Sequence, residues 1–189
     1  MVYLDGDIDE NDEINLNDLV YLEAYSFGTE GYEINEDKIY NTAIKNENAP
    51  KALINDAINC MSTLNAFAGG LMYKSSVHAA TDITGFGLLG HLNEMCKASQ
   101  LSAEINFDVI PFIDGVESLA KSENISSGSK RNLDHANDFT YFDSRISEVQ
   151  KLMISDAQTS GGILVALPEK AADEFAKRNV NIMKNETSR

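Results

Sequence analysis

Residues 78–95, HAATDITGFGLLGHLNEM, decide the predicted fold. Val77 to Thr81 predicts a short strand, and the leucines that follow at helical spacing predict an amphipathic helix. Between them Gly85, Gly87 and Gly90 form a G-x-G-x-x-G pattern. In a turn of this kind, backbone N–H groups and the start of a helix can bind phosphate. The stretch therefore indicates a strand–turn–helix unit with an anion-binding turn.

Asp82 stands immediately before these glycines, where a dinucleotide-binding turn would receive a pyrophosphate. An unpaired carboxylate would repel that ligand unless a cation lay between them. A metal–phosphate site therefore fits both features better than a dinucleotide site, although a dinucleotide-dependent oxidoreductase stays open on the motif alone. The other alternative is an ordinary turn in which Asp82 caps the helix.

From residue 42 onward, helix-period and strand-like segments alternate between turn signals. This alternation predicts an α/β domain, an α+β sandwich in which helices cover a mixed sheet. The polar stretch from Ser122 to Asp143 is expected to be a loop. The other predicted elements are a helix from Pro50 with an apolar face of Ile54, Ala57, Ile58, Met61 and Leu64, strands at Leu101–Phe107 and Gly162–Leu167, a brief helix at Val116–Ala120, a helix from Pro168 and a final strand at Val180–Met183.

A second polar cluster, SDAQTSGG at residues 155–162, comes directly before the strand that begins at Gly162. Thr159 and Ser160 followed by Gly161 and Gly162 can form a nest of successive N–H groups that binds an anion. The same composition also makes an ordinary turn, and the sequence leaves both interpretations open.

The charge is strongly acidic and unevenly distributed. The chain of 189 residues has 30 acidic and 15 basic residues, a net charge of −15. The negative charge excludes nucleic-acid binding through clustered positive charge, and it disfavours binding to an anionic membrane surface. The first 40 residues contain 12 acids and one base, Lys38. We therefore predict an acidic lead segment at 1–41 and a domain at 42–189.

Residues 7–18 of the lead segment, DIDENDEINLND, follow a calcium-loop pattern. Asp12 replaces the usual glycine at position 6 of the loop, and Asp18 replaces the usual glutamate at position 12. The pattern resembles one calcium-binding repeat of the dockerin type. The alternative is a solvated, disordered acidic arm.

Cys60 and Cys96 lie in apolar stretches without Cys-x-x-Cys or Cys/His spacing. They are predicted to be buried thiols that neither form a disulfide nor bind zinc. The sequence contains no cationic leader with an apolar run and no stretch of membrane-spanning length, so the expected location is the cytoplasm.

Two of these stretches together, TDITGFGLLGH at 81–91 and QTSGG at 158–162, closely resemble the selenophosphate synthetase family, also called selenide, water dikinase. The resemblance runs from about residue 42 to about residue 178 and includes Ser62–Asn65 and Arg131–Asn132. It covers only the carboxy-terminal domain of the family. Ala157 replaces the proline that is usual in the family's second motif.

The resemblance implies an enzyme that uses ATP, Mg²⁺ and selenide to make selenophosphate for selenocysteine and selenouridine. It matches Asp82 to the aspartate that this domain contributes to the magnesium–nucleotide site. It places Gly85 and Gly87, together with Thr159, Ser160, Gly161 and Gly162, near the same cleft as cofactor-binding residues. The catalytic residues are left unknown.

The family's reactive Cys or selenocysteine, its neighbouring Lys and most metal-binding aspartates belong to an amino-terminal domain that this sequence does not match. We therefore expect a chain that is inactive without a missing amino-terminal domain or partner chain, and a homodimer when complete. The alternative is a non-catalytic binding or scaffold protein that uses the acidic segment to bind calcium.

Overall fold

A computed structural model of the chain describes residues 2–4, 19–20, 37–62, 64–65, 69–70, 72, 77–168 and 171. The strands are β1 Val2–Leu4, β2 Leu19–Val20, β3 Ala79–Asp82, β4 Ser102–Ile105, β5 Thr140–Phe142 and β6 Ile163–Ala166. The helices with defined bounds are α1 Asp37–Lys45, α2 Lys51–Ser62, α3 Gly87–Ser99, α4 Val116–Lys121, α5 Ser127–Ala136 and α6 Glu148–Ile154, with a 3-10 helix at Phe107–Val109.

The strands form two sheets. One is a mixed four-stranded sheet in the order β2-β4-β1-β5, in which β1 is antiparallel to both neighbours and β2 is parallel to β4. The other is an antiparallel pair of β3 and β6. Helices pack on these strands, so the predicted α/β fold with a mixed sheet is confirmed. Within the described ranges, no helix has both the length and the apolar character needed to cross a lipid bilayer.

The acidic lead segment contributes strands to the domain. The strand β1 lies between β4 and β5 and forms backbone hydrogen bonds with both. The apolar run of β1 is short and precedes many acidic residues, so the sequence did not predict a strand here. The helix α1 spans the predicted boundary between residues 41 and 42. The division into two domains stays a prediction. The calcium-loop pattern at 7–18 lies outside the described residues.

The buried side chains form two clusters. The first surrounds α3, whose predicted apolar stripe is confirmed by the burial of Leu88, Leu89 and Leu92. The second cluster joins α1 to α4 through Ile39 and Tyr40, both fully buried. The second cluster holds the start of α1 against the body of the domain.

The helix α2 forms as predicted, but it buries a different face. Ala57 is buried, and Leu53 and Met61 pack beside it, at a spacing of four residues. Ile58 is 50% exposed and Leu64, beyond the end of the helix, is 81% exposed. The predicted face was therefore wrong at these two positions, because the apolar residues of this helix fit more than one stripe.

The expected loop at 122–143 was also wrong. It contains α5 and β5. The Ser126 hydroxyl caps α5 by accepting a hydrogen bond from the Ser129 N–H at 3.0 Å. Leu133 and Ala136 are the buried apolar residues of this otherwise polar helix, too few to give a clear sequence signal.

The end of the chain is described only in part. The predicted strand before Pro168 is confirmed as β6, and all four of its residues are buried. The expected helix from Pro168 is described only at Ala171, whose N–H donates to the Pro168 carbonyl at 2.8 Å. The predicted strand at 180–183 lies outside the described residues.

Candidate functional site

The two motifs singled out in the sequence are joined directly through their backbones. Beyond the end of β3, the Ile83 N–H donates to the Gly162 carbonyl at 2.9 Å, and the Gly161 N–H donates to the Ile83 carbonyl at 3.0 Å. The Gln158 N–H then donates to the Thr84 carbonyl at 2.9 Å. These bonds continue the β3–β6 pairing and place residues 82–85 alongside residues 158–162.

Asp82 is exposed at the end of β3, opposite Ile163 of β6. In the described part of the chain, no cationic side chain forms an ion pair with it. The N-cap of α3 is Phe86, which provides no side-chain hydrogen bond, so the alternative that Asp82 caps this helix is wrong. The Asp82 carboxylate is therefore placed where a ligand could reach it.

The residues present suit a metal that is shared with a phosphate ligand. Among the residues that the structure describes, no group of three or more His, Cys, Asp and Glu side chains could hold a metal ion. A cation at Asp82 would therefore take its remaining ligands from phosphate oxygens and water. Mg²⁺ is commonly bound in this way, by one or two carboxylates together with substrate phosphates.

Gly87 has a packing role at the start of α3. Its φ is +67°, and its N–H donates to the Thr84 carbonyl at 3.0 Å. A Cβ atom here would lie 2.8 Å from the carbonyl oxygens of Ser155 and Asp156. Glycine thus allows α3 to begin directly against the loop of the second motif.

Gly161 has a similar role in the second motif. A Cβ atom at this buried position would collide with the Ile83 carbonyl and with the Gln158 side chain. By contrast, Gly85 is exposed with open space around it, and Thr159 is exposed as well. Asp82, Gly85 and Thr159 are therefore exposed and Ser160 is partly exposed, whereas Gly87, Gly161 and Gly162 are buried and shape the backbone.

Two asparagines hold the motifs in place. The Asn132 carboxamide donates to the Gly85 carbonyl at 2.9 Å and to the Ser155 carbonyl at 3.1 Å. The Asn65 carboxamide donates to the Gly161 carbonyl at 2.9 Å. Both residues lie in stretches that carry the family resemblance, but no role could be predicted for either of them. Their contacts join α5 and the segment after α2 to the candidate site.

Asp156 is a fully buried acidic residue within the second polar cluster, residues 155–162. Its Oδ2 accepts a hydrogen bond from the backbone N–H of Ile39 at 3.1 Å, and its Oδ1 accepts one from the Ser129 hydroxyl. A carboxylate is favourable at the start of a helix because the first N–H groups there have no partner within the helix. Asp156 therefore connects the starts of α1 and α5 to the loop of the candidate site.

Lys38 brings a positive charge to this loop. Its Nζ lies 3.0 Å from the Thr159 Oγ1, to which it donates a hydrogen bond. In the sequence, Lys38 stands out only as the single base of the acidic segment. No local pattern could have shown this contact, because the two residues lie 121 positions apart.

His91 and Cys96 are both buried in α3, and the prediction of a buried thiol is confirmed at Cys96. His91 is buried, and its Nε2 lies 3.1 Å from the Thr84 Oγ1, so this side chain supports the turn. Cys96 is buried, and burial raises the pKa of its thiol to about 11. The Cys60 side chain lies outside the described part.

Comparison with known proteins matches residues 63–178 to the family described as AIR synthase related protein, C-terminal domain. A protein named selenide, water dikinase from Clostridium botulinum (strain Eklund 17B / Type B) is 41% identical over 143 residues, which is 76% of this chain and 41% of that protein. Proteins of the same name from Sulfurovum sp. (strain NBC37-1) and Sulfurimonas denitrificans (strain ATCC 33889 / DSM 1251) are 36% and 37% identical over 171 and 168 residues, each match covering 89% of this chain and 47% of the relative. The chain spans less than half the length of these curated relatives.

Proposed function

Because the chain belongs to the family of AIR synthase related proteins through their C-terminal domain, we propose that it is the carboxy-terminal part of an ATP-dependent selenophosphate synthetase. The predicted family resemblance is confirmed by relatives that carry the name selenide, water dikinase. The reaction itself, from selenide and ATP, remains a proposal for the complete protein because this chain spans less than half of each relative.

The observation that carries the proposal is the backbone pairing of the two motifs. It brings residues 82–85 alongside residues 158–162, and Asp82, Gly85 and Thr159 are exposed. Asp82 would hold Mg²⁺, and Gly85, Thr159 and Ser160 would face the phosphates of ATP. When bound, Mg²⁺ would neutralise phosphate charge, which phosphoryl transfer requires. The glycines at 87, 161 and 162 would keep the backbone in the required shape.

We propose that the chemical step uses groups of an amino-terminal domain. The resemblance places the reactive Cys or selenocysteine, with its Lys, in an amino-terminal domain, so a missing domain or partner chain would complete the site. We also propose a homodimer for the complete protein. A cytoplasmic location belongs to the same proposal, because a reactive thiol needs a reducing compartment.

The two alternatives have less support. The calcium-binding scaffold depends on residues 7–18, which lie outside the described part of the chain. The dinucleotide-dependent oxidoreductase depends on free N–H groups in the first motif, but the Gly87 N–H is bonded to the Thr84 carbonyl. The relatives reported above carry a kinase name.

The proposal can be tested by measuring nucleotide binding to the purified chain by calorimetry, with MgATP and with ATP in the presence of EDTA. We expect binding that requires Mg²⁺, and binding at least about tenfold weaker in Asp82→Asn, because a charge-assisted contact is lost. The control is Asp134→Asn, which neutralises an exposed carboxylate on α5. MgATP binding that is the same in Asp82→Asn and the unmodified chain would reject the metal site.

A further inference from the structure

The backbone position of Lys38 is set by the packing of the two residues that follow it in α1. The next two residues of α1, Ile39 and Tyr40, are fully buried, and the Ile39 N–H is bonded to Asp156. The Tyr40 hydroxyl donates to the Asp114 carbonyl at 2.7 Å. These contacts fix the first turn of α1, so the partly exposed Lys38 is held over the loop of the second motif.

The charge of Lys38 is not neutralised by the residues described around it. None of the ion pairs in the described ranges includes Lys38, and its Nζ contacts the neutral hydroxyl of Thr159. Thr159 is the residue after Gln158, whose N–H is bonded to the Thr84 carbonyl, two positions from Asp82. A cation and a carboxylate thus stand on two segments that are hydrogen-bonded to each other.

A metal–triphosphate ligand suits this pair of opposite charges. A carboxylate can bind the metal, whereas a cationic side chain favours the phosphate oxygens that the metal does not neutralise. Lysine is a common phosphate ligand because its ammonium group is a compact charge with three donors.

We infer that Lys38 binds the phosphate groups of the nucleotide at the surface formed by Asp82, Gly85, Thr159 and Ser160. This inference rests on the proposed function. It adds a phosphate-binding residue from the acidic segment, separate from the Lys that the resemblance places in an amino-terminal domain.

The test compares Lys38→Met, which keeps most of the aliphatic stem, with Lys38→Arg, which keeps the charge. The control is Lys45→Met, which removes the same charge from the exposed last turn of the same helix. The probes are MgATP and magnesium tripolyphosphate, titrated by calorimetry against the full chain. A thermal midpoint is measured for each variant.

We expect Lys38→Met to bind both probes about tenfold more weakly, which corresponds to the loss of one charged contact. Lys38→Arg should recover most of the affinity, and Lys45→Met should bind like the unmodified chain. Equal binding by Lys38→Met and the unmodified chain would overturn this inference and leave the proposed nucleotide site standing. Weaker binding in both Lys38 variants together with a lower midpoint would assign Lys38 a purely structural role and overturn it too. Failure of the unmodified chain to bind MgATP would remove the nucleotide site as well.

Discussion

The Asp156 carboxylate and the backbone N–H of Ile39 are joined by a hydrogen bond of 3.1 Å across 117 residues of sequence. The same side chain accepts a hydrogen bond from the Ser129 hydroxyl, so one buried carboxyl group joins three separate segments. Because Thr159 follows Asp156 closely and Lys38 precedes Ile39, this contact also sets the relative position of the two residues that meet at the candidate site.

Replacing Asp156 with alanine should destabilise the fold. The change leaves the Ile39 N–H and the Ser129 hydroxyl without their buried acceptor, which should cost roughly 2–4 kcal/mol. Asp156→Asn should cost less, because the amide oxygen can still accept one bond. Urea unfolding measures both effects, with the exposed Asp134→Ala as the control. A loss below about 0.5 kcal/mol in Asp156→Ala, the range of ordinary surface changes, would contradict this role.

Gly87 and Gly85 should respond differently to alanine. Gly87→Ala places a Cβ 2.8 Å from two carbonyl oxygens at a φ of +67°. The clash and the left-handed backbone together should cost roughly 2–4 kcal/mol. Gly85→Ala meets no atom within 4 Å and has an ordinary φ, so it should change stability by less than about 1 kcal/mol. The two single variants are a matched pair, and thermal or urea unfolding measures the stability of each. Equal stability of the two would refute the close packing at Gly87.

The core of the fold could be predicted because its signals are local. The leucines of α3 repeat at helical spacing, and the apolar β6 follows two glycines, so each element is recognisable within a dozen residues. The helix α5 was missed because its stability comes from the Ser126 cap and from two buried side chains in a polar stretch. Its charge and polarity resemble those of a loop.

The candidate site was predictable only in part. The glycine motifs could be found in the sequence, and their meeting was implied by the family resemblance. The Lys38–Thr159 and Asp156–Ile39 contacts have no local signal, because they depend on how α1 packs against a distant loop. Similarly, the roles of Asn65 and Asn132 could not be derived, since an asparagine that binds a carbonyl has no distinctive sequence pattern.

Asn132 should contribute to both stability and nucleotide binding. Asn132→Ala removes the donors to the Gly85 and Ser155 carbonyls, which should cost roughly 1–2 kcal/mol in urea unfolding. Because one of these bonds fixes the turn after Asp82, MgATP binding should also weaken. Asn137→Ala, an exposed asparagine at the other end of α5, is the control. If the two variants unfold at the same urea concentration, the Asn132 bonds carry no net stability.

Cys96 should react slowly with alkylating reagents while the chain is folded. Burial raises the pKa of its thiol to about 11, and the thiolate is the reactive form. In a Cys60→Ala background, iodoacetamide labelling at pH 8 should be slow, and it should become rapid when the chain is unfolded in guanidinium. Labelling at the same rate in both states would show that the Cys96 thiol is accessible in the folded chain and that its pKa is not raised.

The same burial predicts how the stability of the fold depends on alkaline pH. The unfolded thiol loses its proton near the ordinary pKa of 9.0, whereas the folded thiol keeps it up to about 11. Since the unfolded state then binds fewer protons, stability falls as the pH rises through this window, and the contribution of Cys96 is fully present only below pH 9. Urea unfolding between pH 8 and 10.5 should therefore show a steeper loss in the Cys60→Ala chain than in the Cys60→Ala, Cys96→Ala chain. The other titrating groups are the same in both chains. If the stability of both chains falls with pH to the same extent, the raised pKa of Cys96 does not contribute to the loss.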